Sequence, residues 1–322
     1  MPVEVDIDLL QEFERGLDPQ NPEQSQIPAR VLGYGEISTV FEIQVGGMQD
    51  LAFKRLPLFY SWEEVERYQV THDEYLRLLS EEIGLHLPPH DDAIVSGLSD
   101  LPVFYIIQRQ MPTESVGNRA LHHLSERDVS RLVRRLLGEL YKVWDFNQRQ
   151  DRLRVAVDGQ ISNWSIDGFD PENPSVEGAR LWYLDTSTPL FRVEGEEQLD
   201  PELFLRSAPS FLVWILRLLF VQDVIDRYYD PRLVTVDLVA NFFKEQRADL
   251  IPRAIGVVGD FFGTEAASLG VAPITEQEVR AYYREDALIW TLYLAMRKID
   301  RFLHVQLLRR NYPYILPQRI ER

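Results

Sequence analysis

The spacing of apolar residues changes from helical to strand-like within the first sixty positions. Apolar residues at helical spacing over 5–13 predict a short amphipathic helix. Short apolar runs then predict strands at 31–32, 39–45 and 51–56, with a hairpin turn at Gly46 and Gly47. The sequence therefore predicts a small sheet that follows an N-terminal helix.

A helical segment and a buried strand follow this sheet. Ser61 with Glu64 three residues later forms a capping pattern, and apolar residues at helical spacing predict one or two helices that end at Gly84. The continuous apolar run at 103–108 predicts a buried strand. Residues 109–112 end in proline and predict a hinge, where we expect the boundary between two lobes.

The second half of the chain is mostly helical in pattern. Ser125 and Asp128 repeat the capping pattern before a strongly amphipathic helix. Residues 163–166 and 181–184 predict a hairpin joined by a polar loop. Beyond Pro201, apolar spacing predicts helices over 203–229, over 234–243 and from Thr275 towards Arg310.

These elements predict an α+β fold with two lobes, a small β-rich N-lobe with one or two helices and a larger, mostly helical C-lobe. We expect three parts along the chain. Residues 1–28 form an N-terminal helical extension, residues 29–111 form the N-lobe, and residues 112–322 form the C-lobe.

Composition narrows the choice of partners. The chain has 51 acidic and 34 basic residues and a formal charge of −17, which opposes binding to nucleic acids or to anionic lipid. The absence of cysteine excludes thiolate chemistry. Residues 1–10 lack the basic and apolar regions of a signal peptide, and the most apolar stretch, 211–221, is short for a membrane span and contains Arg217. We therefore expect a cytoplasmic protein with no membrane or nucleic-acid partner.

A glycine-containing turn and a lysine stand in the predicted sheet. Gly33 and Gly35 have no side chain, which allows a backbone to approach phosphate groups, although an ordinary hairpin turn has the same pattern. Lys54 lies within an apolar strand, where its ammonium group suits nucleotide phosphates, or where it marks a solvent-exposed strand at the sheet edge. Glu74 in the following helix is the expected partner of Lys54, with Glu66 as the alternative.

Three oxygen-bearing side chains follow in the predicted C-lobe. Asp158 is placed to accept a proton from an acceptor hydroxyl, and Asn163, five residues later, is placed to hold Mg²⁺. Asp185 ends an apolar run and would supply the main Mg²⁺ carboxylate, because Mg²⁺ prefers hard oxygen ligands. A turn at Asp158 and a strand-end cap at Asp185 are the structural alternatives. The six histidines show no spacing typical of zinc sites.

The order of these residues resembles that of the protein-kinase-like superfamily, in particular its aminoglycoside and choline phosphotransferase branch. The resemblance implies a bilobal kinase-like fold, ATP and Mg²⁺ as cofactors, Asp158 as the catalytic base, and Asn163 and Asp185 as metal ligands. It also implies a nucleotide site lined by Gly33, Gly35, Ser38, Lys54, Glu74, Gln110 and Met111.

The chain also departs from the pattern of that family. Ser38 stands where protein kinases usually have a third glycine, Ala156 and Val157 replace the usual residues before the aspartate, and Thr186 follows Asp185. Three functions follow as hypotheses. The first is an ATP- and Mg²⁺-dependent phosphotransferase that acts on a hydroxyl of a small molecule, including a cationic one. The second is a pseudokinase-type module that binds nucleotide or a protein partner without turnover, and the third is a scaffold that binds no nucleotide.

Overall fold

The computed structural model describes residues 3–35, 37–97, 100–206, 221–307, 312 and 314–316. The strands are β1 (Ala29–Tyr34), β2 (Thr39–Ile43), β3 (Leu51–Leu56), β4 (His90–Ser96), β5 (Pro102–Arg109), β6 (Leu153–Val155), β7 (Trp164–Ile166), β8 (Leu181–Tyr183), β9 (Phe191–Val193) and β10 (Glu196–Glu197). The α-helices are α1 (Ile7–Gly16), α2 (Trp62–Arg77), α3 (Gly117–Ala120), α4 (Glu126–Gln148), α5 (Glu202–Arg206), α6 (Val221–Tyr229), α7 (Pro231–Lys244), α8 (Ile251–Thr264) and α9 (Glu276–Phe302).

The N-lobe is built on a five-stranded antiparallel sheet with the order β1-β2-β3-β5-β4. The strands predicted around the glycine turn, at 51–56 and at 103–108 are confirmed. Strand β4 was not predicted, because its first three residues are polar and mask the short alternation after them. The central strand is β3, where Lys54 lies opposite Val40 of β2 and Ile106 of β5.

The N-terminal helix packs on this sheet. Leu10 and Phe13 of α1 are fully buried and share one apolar core with Phe41 of β2. The carboxylate of Glu14, on the same helix, is also buried and pairs with Arg55 of β3. Helix α1, predicted within the N-terminal extension 1–28, therefore contributes to the apolar core of the N-lobe sheet.

Helix α2 connects the sheet to the C-lobe. Its N-terminus is capped by the Ser61 hydroxyl, which accepts a hydrogen bond from the Glu64 N–H at 3.3 Å, as the sequence pattern predicts. The helix continues as a π-helical segment, Leu78–Ile83, and ends at Gly84 in a left-handed conformation with φ of 80°. The predicted end of this helical segment at Gly84 is confirmed.

The C-lobe is mostly helical, as predicted, around a core shared by α4, α7 and α8. The predicted hairpin is confirmed, since β7 pairs antiparallel with β8. A small sheet of the order β10-β9-β6 was not predicted, because its strands are two or three residues long. The predicted α+β class with a β-rich N-lobe and a mostly helical C-lobe is confirmed.

Two predicted helical regions extend beyond the described residues. Of the helix predicted over 203–229, α5 and α6 are present, and residues 207–220 lie outside the described residues, with most of the apolar stretch 211–221. Helix α9 starts after the Thr275 cap and continues as a π-helical segment, Leu303–Leu307, while 308–310 lie outside the described residues. In the described part of the chain, no helix has the length and apolar character of a membrane span.

Candidate functional site

Lys54 lies at the junction of the two lobes. Its side chain is only 7% exposed, and its Nζ donates to the backbone carbonyl of Leu184 and lies 3.4 Å from Oδ1 of Asp185. The position of Lys54 in the central strand β3 excludes the alternative of a solvent-exposed lysine at the sheet edge. The structure therefore joins Lys54, which the sequence proposed for the nucleotide site, to Asp185, which it proposed as a metal ligand, across a separation of 131 positions.

A short loop brings Asp158 and Asn163 next to this pair. Asp158 follows strand β6, and Asn163 ends a 3₁₀ turn, Ile161–Asn163. The Nδ2 of Asn163 donates to the carbonyl of Asp158 at 3.5 Å, and the carbonyl of Asn163 accepts a hydrogen bond from the Leu184 N–H at 2.8 Å. Since Asp185 follows Leu184 directly, the loop and the end of β8 are tied together at the position of the proposed metal ligands.

The turn that carries Asn163 is closely packed against α3. A Cβ atom added at Gly117 would lie 2.3 Å from the carbonyl oxygen of Ile161. We expect Gly117→Ala to lower the free energy of unfolding by about 1–3 kcal/mol, because the backbone of the turn must move away. Gly138→Ala is the matched control, since Gly138 lies within α4 with open space around it, and it should raise stability by about 0.5–1 kcal/mol. Urea denaturation of both variants measures this difference, and equal stabilities would contradict the close packing.

Asp185 is held in its ionised form. Burial alone would raise the pKa of this carboxyl, but the charge of Lys54 and the hydrogen bonds from Ser187 lower the pKa below its usual value. The Ser187 hydroxyl donates to Oδ1 of Asp185 at 2.7 Å. An ionised carboxylate at this position is available to a cation.

Asp158 has the opposite electrostatic environment. Burial, followed by the charges of Asp237 and Asp185, raises its pKa well above the usual value. Asp237 lies on α7, where burial raises its own pKa to about 6. Oδ1 of Asp158 also accepts a hydrogen bond from the Gln160 N–H at 3.0 Å. The site therefore combines an ionised carboxylate at Asp185 with a carboxyl that retains protons more strongly at Asp158.

The glycine turn joins β1 to β2, with Gly33 opposite Val40. The space around Gly33 is open to 4 Å, whereas a Cβ added at Gly35 would lie 2.9 Å from the Ser38 hydroxyl. The Gly35 N–H donates to the carbonyl of Ser38 at 2.9 Å and closes the turn. A side chain at Gly35 would thus displace the Ser38 hydroxyl, and the space beside Gly33 is open.

The predicted hinge connects β5 to the C-lobe. The Gln110 N–H donates to the carbonyl of Asp50 at 2.8 Å, which holds the start of the hinge against the sheet. The side-chain oxygen of Gln110 is buried and has no hydrogen-bond partner, while Met111 is partly buried. A buried amide acceptor without a partner is costly, and a ligand N–H would satisfy it.

The expected partner of Lys54 on α2 was wrong. Glu74 forms two hydrogen bonds of 2.9 Å with Arg77 and is 43% exposed, and Glu66 lies on the exposed side of the helix. The face of α2 that points inward carries Tyr68, His72 and Tyr75, which are all buried. Glu74 precedes Tyr75 by one residue and is rotated away from that face, since successive helical residues are about 100° apart. Lys54 pairs with Asp185 instead.

Two tyrosines that the sequence did not identify as site residues anchor the loops around the site. The hydroxyl of Tyr68 donates to the carbonyl of Ser187 at 2.8 Å, and the hydroxyl of Tyr75 donates to the carbonyl of Ala156 at 2.8 Å. They fix α2 to the segments after Asp185 and before Asp158. Their spacing of seven residues was sufficient to predict that they share one helix face. A hydrogen bond from a hydroxyl to a distant backbone carbonyl, however, leaves no pattern in a single sequence.

This α+β protein thus brings together a lysine, two aspartates and an asparagine at the junction of its two lobes. The sequence matches the family of unknown function DUF6206 over residues 18–301, and the chain belongs to that family. No curated protein matches the sequence. Among solved structures, the chain is similar to a Stt7 homolog from Micromonas algae whose crystal was soaked with ATP, at 16% identity over 79% of this chain and 82% of that chain, with a TM-score of 0.38.

Proposed function

We propose that the chain binds ATP with Mg²⁺ between its lobes and transfers the γ-phosphoryl group to a hydroxyl of a small molecule. The observation that carries this proposal is the contact between Lys54 of the central strand and Asp185 at the end of β8, 3.4 Å apart. A buried lysine beside an ionised carboxylate suits a phosphate group and its metal ion. The resemblance to the aminoglycoside and choline phosphotransferases supports the same reaction class.

The donor set at the junction fits Mg²⁺. Asp185 offers a carboxylate and Asn163 offers an amide oxygen, and hard oxygen ligands of this kind, completed by waters and phosphate oxygens, suit Mg²⁺. The ion would neutralise charge on the transferred group. Lys54 would orient the α- and β-phosphates, while Gly33 would allow the backbone of the turn to approach them. Gln110 and Met111 would contact the base at the hinge.

Asp158 would act as the proton acceptor. In the proposed step, the hydroxyl oxygen of the acceptor forms a bond to the γ-phosphorus while the bond between that phosphorus and the bridging oxygen of ADP breaks, and the hydroxyl proton moves to Asp158. The raised pKa of Asp158 supports this role, because a carboxylate with a raised pKa is a stronger base.

The acidic surroundings of Asp158 favour a cationic acceptor. Asp237 is only 8% exposed and lies close enough to raise the pKa of Asp158. The Nζ of Lys244 lies 4.0 Å from Oδ1 of Asp237 and compensates part of this charge. An amino or quaternary ammonium group on the acceptor would stabilise two neighbouring carboxylates, and the net charge of −17 would attract such a molecule.

Nucleotide binding is the first test. We expect calorimetry to show Mg²⁺-dependent ATP binding by the wild type and at least about tenfold weaker binding by Lys54→Met and Asp185→Asn, because each removes one side of the contact that holds the phosphates. Lys142→Met is the matched control, since Lys142 pairs with Glu139 within α4 and is 37% exposed. Unchanged affinity in both site variants, or no binding by the wild type, would refute the proposal.

A binding module without turnover is the second candidate. The observation in its favour is the hydrogen bond from the Gln160 N–H to Oδ1 of Asp158, which gives this carboxylate a structural role in its own loop. Incubation with γ-labelled ATP, Mg²⁺ and a panel of small amino alcohols separates the two candidates. A labelled product supports the phosphotransferase. ATP binding with neither a labelled product nor ATP hydrolysis supports the binding module.

A further inference from the structure

A second group of ligand-type side chains lies between α2 and the edge strand β4. His72 and Asp73 are consecutive on α2, and Asp92 lies on β4. The imidazole nitrogen and the two carboxylate oxygens that these residues offer lie within 4.8 Å of one another. Helix α2 and strand β4 thus bring one nitrogen and two oxygen donors close together. No residue spacing in the sequence indicated this cluster.

The His72 ring has no partner for its polar atoms. Its side chain is fully buried, and neither Nδ1 nor Nε2 has a hydrogen-bond partner. A buried polar group that is left unsatisfied costs about 1–3 kcal/mol. Burial, followed by the charges of His90 and Lys54, lowers the pKa of His72 to about 3, so the ring is neutral and one nitrogen keeps a free lone pair.

A carboxylate oxygen of Asp73 and one of Asp92 lie within 4.8 Å of each other, and burial raises the pKa of both groups, that of Asp92 to about 6. A cation between these oxygens would offset the repulsion of the two carboxylates. The side-chain amide of Gln69 donates to Oδ1 of Asp92 and fixes its orientation. Hydrogen bonds of this kind orient ligands in metal sites.

We propose that His72, Asp73 and Asp92 bind a divalent transition-metal ion of the Zn²⁺ or Mn²⁺ class. The ion would accept the lone pair of the buried imidazole and would offset the repulsion between the two carboxylates. A nitrogen ligand selects these ions over Mg²⁺, which prefers oxygen ligands alone. Asp73 is exposed and gives the ion a route from solvent to the buried ring.

The metal site would be separate from the proposed nucleotide site, but both would depend on the position of α2. Its ion would fix α2 to β4, and α2 carries Tyr68, which holds the loop after Asp185. Binding of the ion should therefore raise the thermal stability of the nucleotide-free protein, because a ligand that binds only the folded state shifts the unfolding equilibrium.

Titration of the metal-free, nucleotide-free protein with Zn²⁺ and, separately, with Mn²⁺ tests the site. We expect one specific ion per chain for the wild type, and at least about tenfold weaker binding by Asp73→Asn and by Asp92→Asn. Asp91→Asn is the matched control, because it removes the same charge one residue away, on the opposite face of β4. The asparagine can still accept the hydrogen bond that Asp91 accepts from the Asp92 N–H, so the affinity should fall far less than in the two ligand variants.

The zinc K-edge X-ray absorption spectrum of the loaded protein should show an imidazole nitrogen in the coordination shell. A shell of oxygen ligands alone would overturn the proposal, as would equal affinities of Asp73→Asn, Asp92→Asn and Asp91→Asn. Loss of the ion in Asp185→Asn would instead assign the ion to the junction of the lobes, and this result would also overturn the proposal. The outcome is independent of ATP binding, so failure here leaves the proposed function standing.

Discussion

Replacement of Glu14 by alanine is expected to lower the free energy of unfolding by about 3–5 kcal/mol, because it leaves the charge of Arg55 buried without its carboxylate. Both side chains are almost inaccessible, with 0% exposed for Glu14 and 3% for Arg55. The guanidinium donates to both oxygens of Glu14, at 2.7 and 2.6 Å, and the hydroxyl of Tyr105 donates to Oε2 at 2.6 Å. The variant loses all three of these hydrogen bonds, so the guanidinium and the hydroxyl both lose their shared acceptor.

Chemical denaturation of three proteins tests this expectation. Glu63→Ala removes a carboxylate from an exposed pair with Arg67, whose side chains are 82% and 63% exposed, and should cost less than about 1 kcal/mol. The double variant Glu14→Leu with Arg55→Met should be more stable than Glu14→Ala, because no charge remains buried. A cost for Glu14→Ala as small as that for Glu63→Ala would show that α1 does not dock on the sheet through this pair.

The buried pair of Glu14 and Arg55 is a feature that could not be predicted from the sequence alone. The apolar spacing of residues 5–13 was sufficient to predict α1, but Glu14 follows that pattern as an ordinary charged residue at a helix end. Its burial depends on Arg55, 41 positions away, and on the packing of the helix against the sheet. Local spacing determines which face of a helix is apolar, whereas the partner of a buried charge is set by tertiary structure.

The same distinction divides the candidate site. Asp158 and Asn163 were predictable because they lie five positions apart in one loop, and Lys54 and Asp185 because each stands in or after a short apolar run. Glu74 was predicted from its position in the chain alone, and the prediction did not consider which face of α2 it occupies. The cluster at His72 and Asp92 was not predictable, because β4 itself was not recognised and the two residues are brought together only when it pairs with β5.

Replacement of Asp158 by asparagine is expected to slow phosphoryl transfer strongly while stabilising the fold at pH 8. Loss of the proton acceptor should reduce the rate of phosphoryl transfer by about 10²–10⁴-fold, because asparagine cannot take up the hydroxyl proton. Affinity for Mg²⁺ and ATP should stay close to that of the wild type, since Lys54 and Asp185 are unchanged. A single-turnover assay with labelled ATP measures the rate, and calorimetry measures the affinity.

The effect on stability follows from the direction of the pKa shift. The pKa of Asp158 is higher in the folded protein than its usual value of 3.8, so the folded state favours the protonated carboxyl. This contribution is fully present below the unfolded pKa and is lost as pH rises through the folded pKa, where the charged carboxylate must remain beside Asp237. Asparagine carries no charge at any pH. The free energy of unfolding of the variant should therefore exceed that of the wild type most clearly above the folded pKa of Asp158.

Urea denaturation at pH 4 and pH 8 measures the difference. We expect Asp158→Asn to be about 1 kcal/mol more stable than the wild type at pH 8, with a smaller difference at pH 4, and the partial access of solvent to Asp158 keeps the gain at this size. Asp167→Asn, at an exposed aspartate, should change stability little at either pH. A pH-independent difference for Asp158→Asn would mean that desolvation of its carboxylate does not oppose folding, and the argument for Asp158 as a strengthened base would lose its electrostatic support.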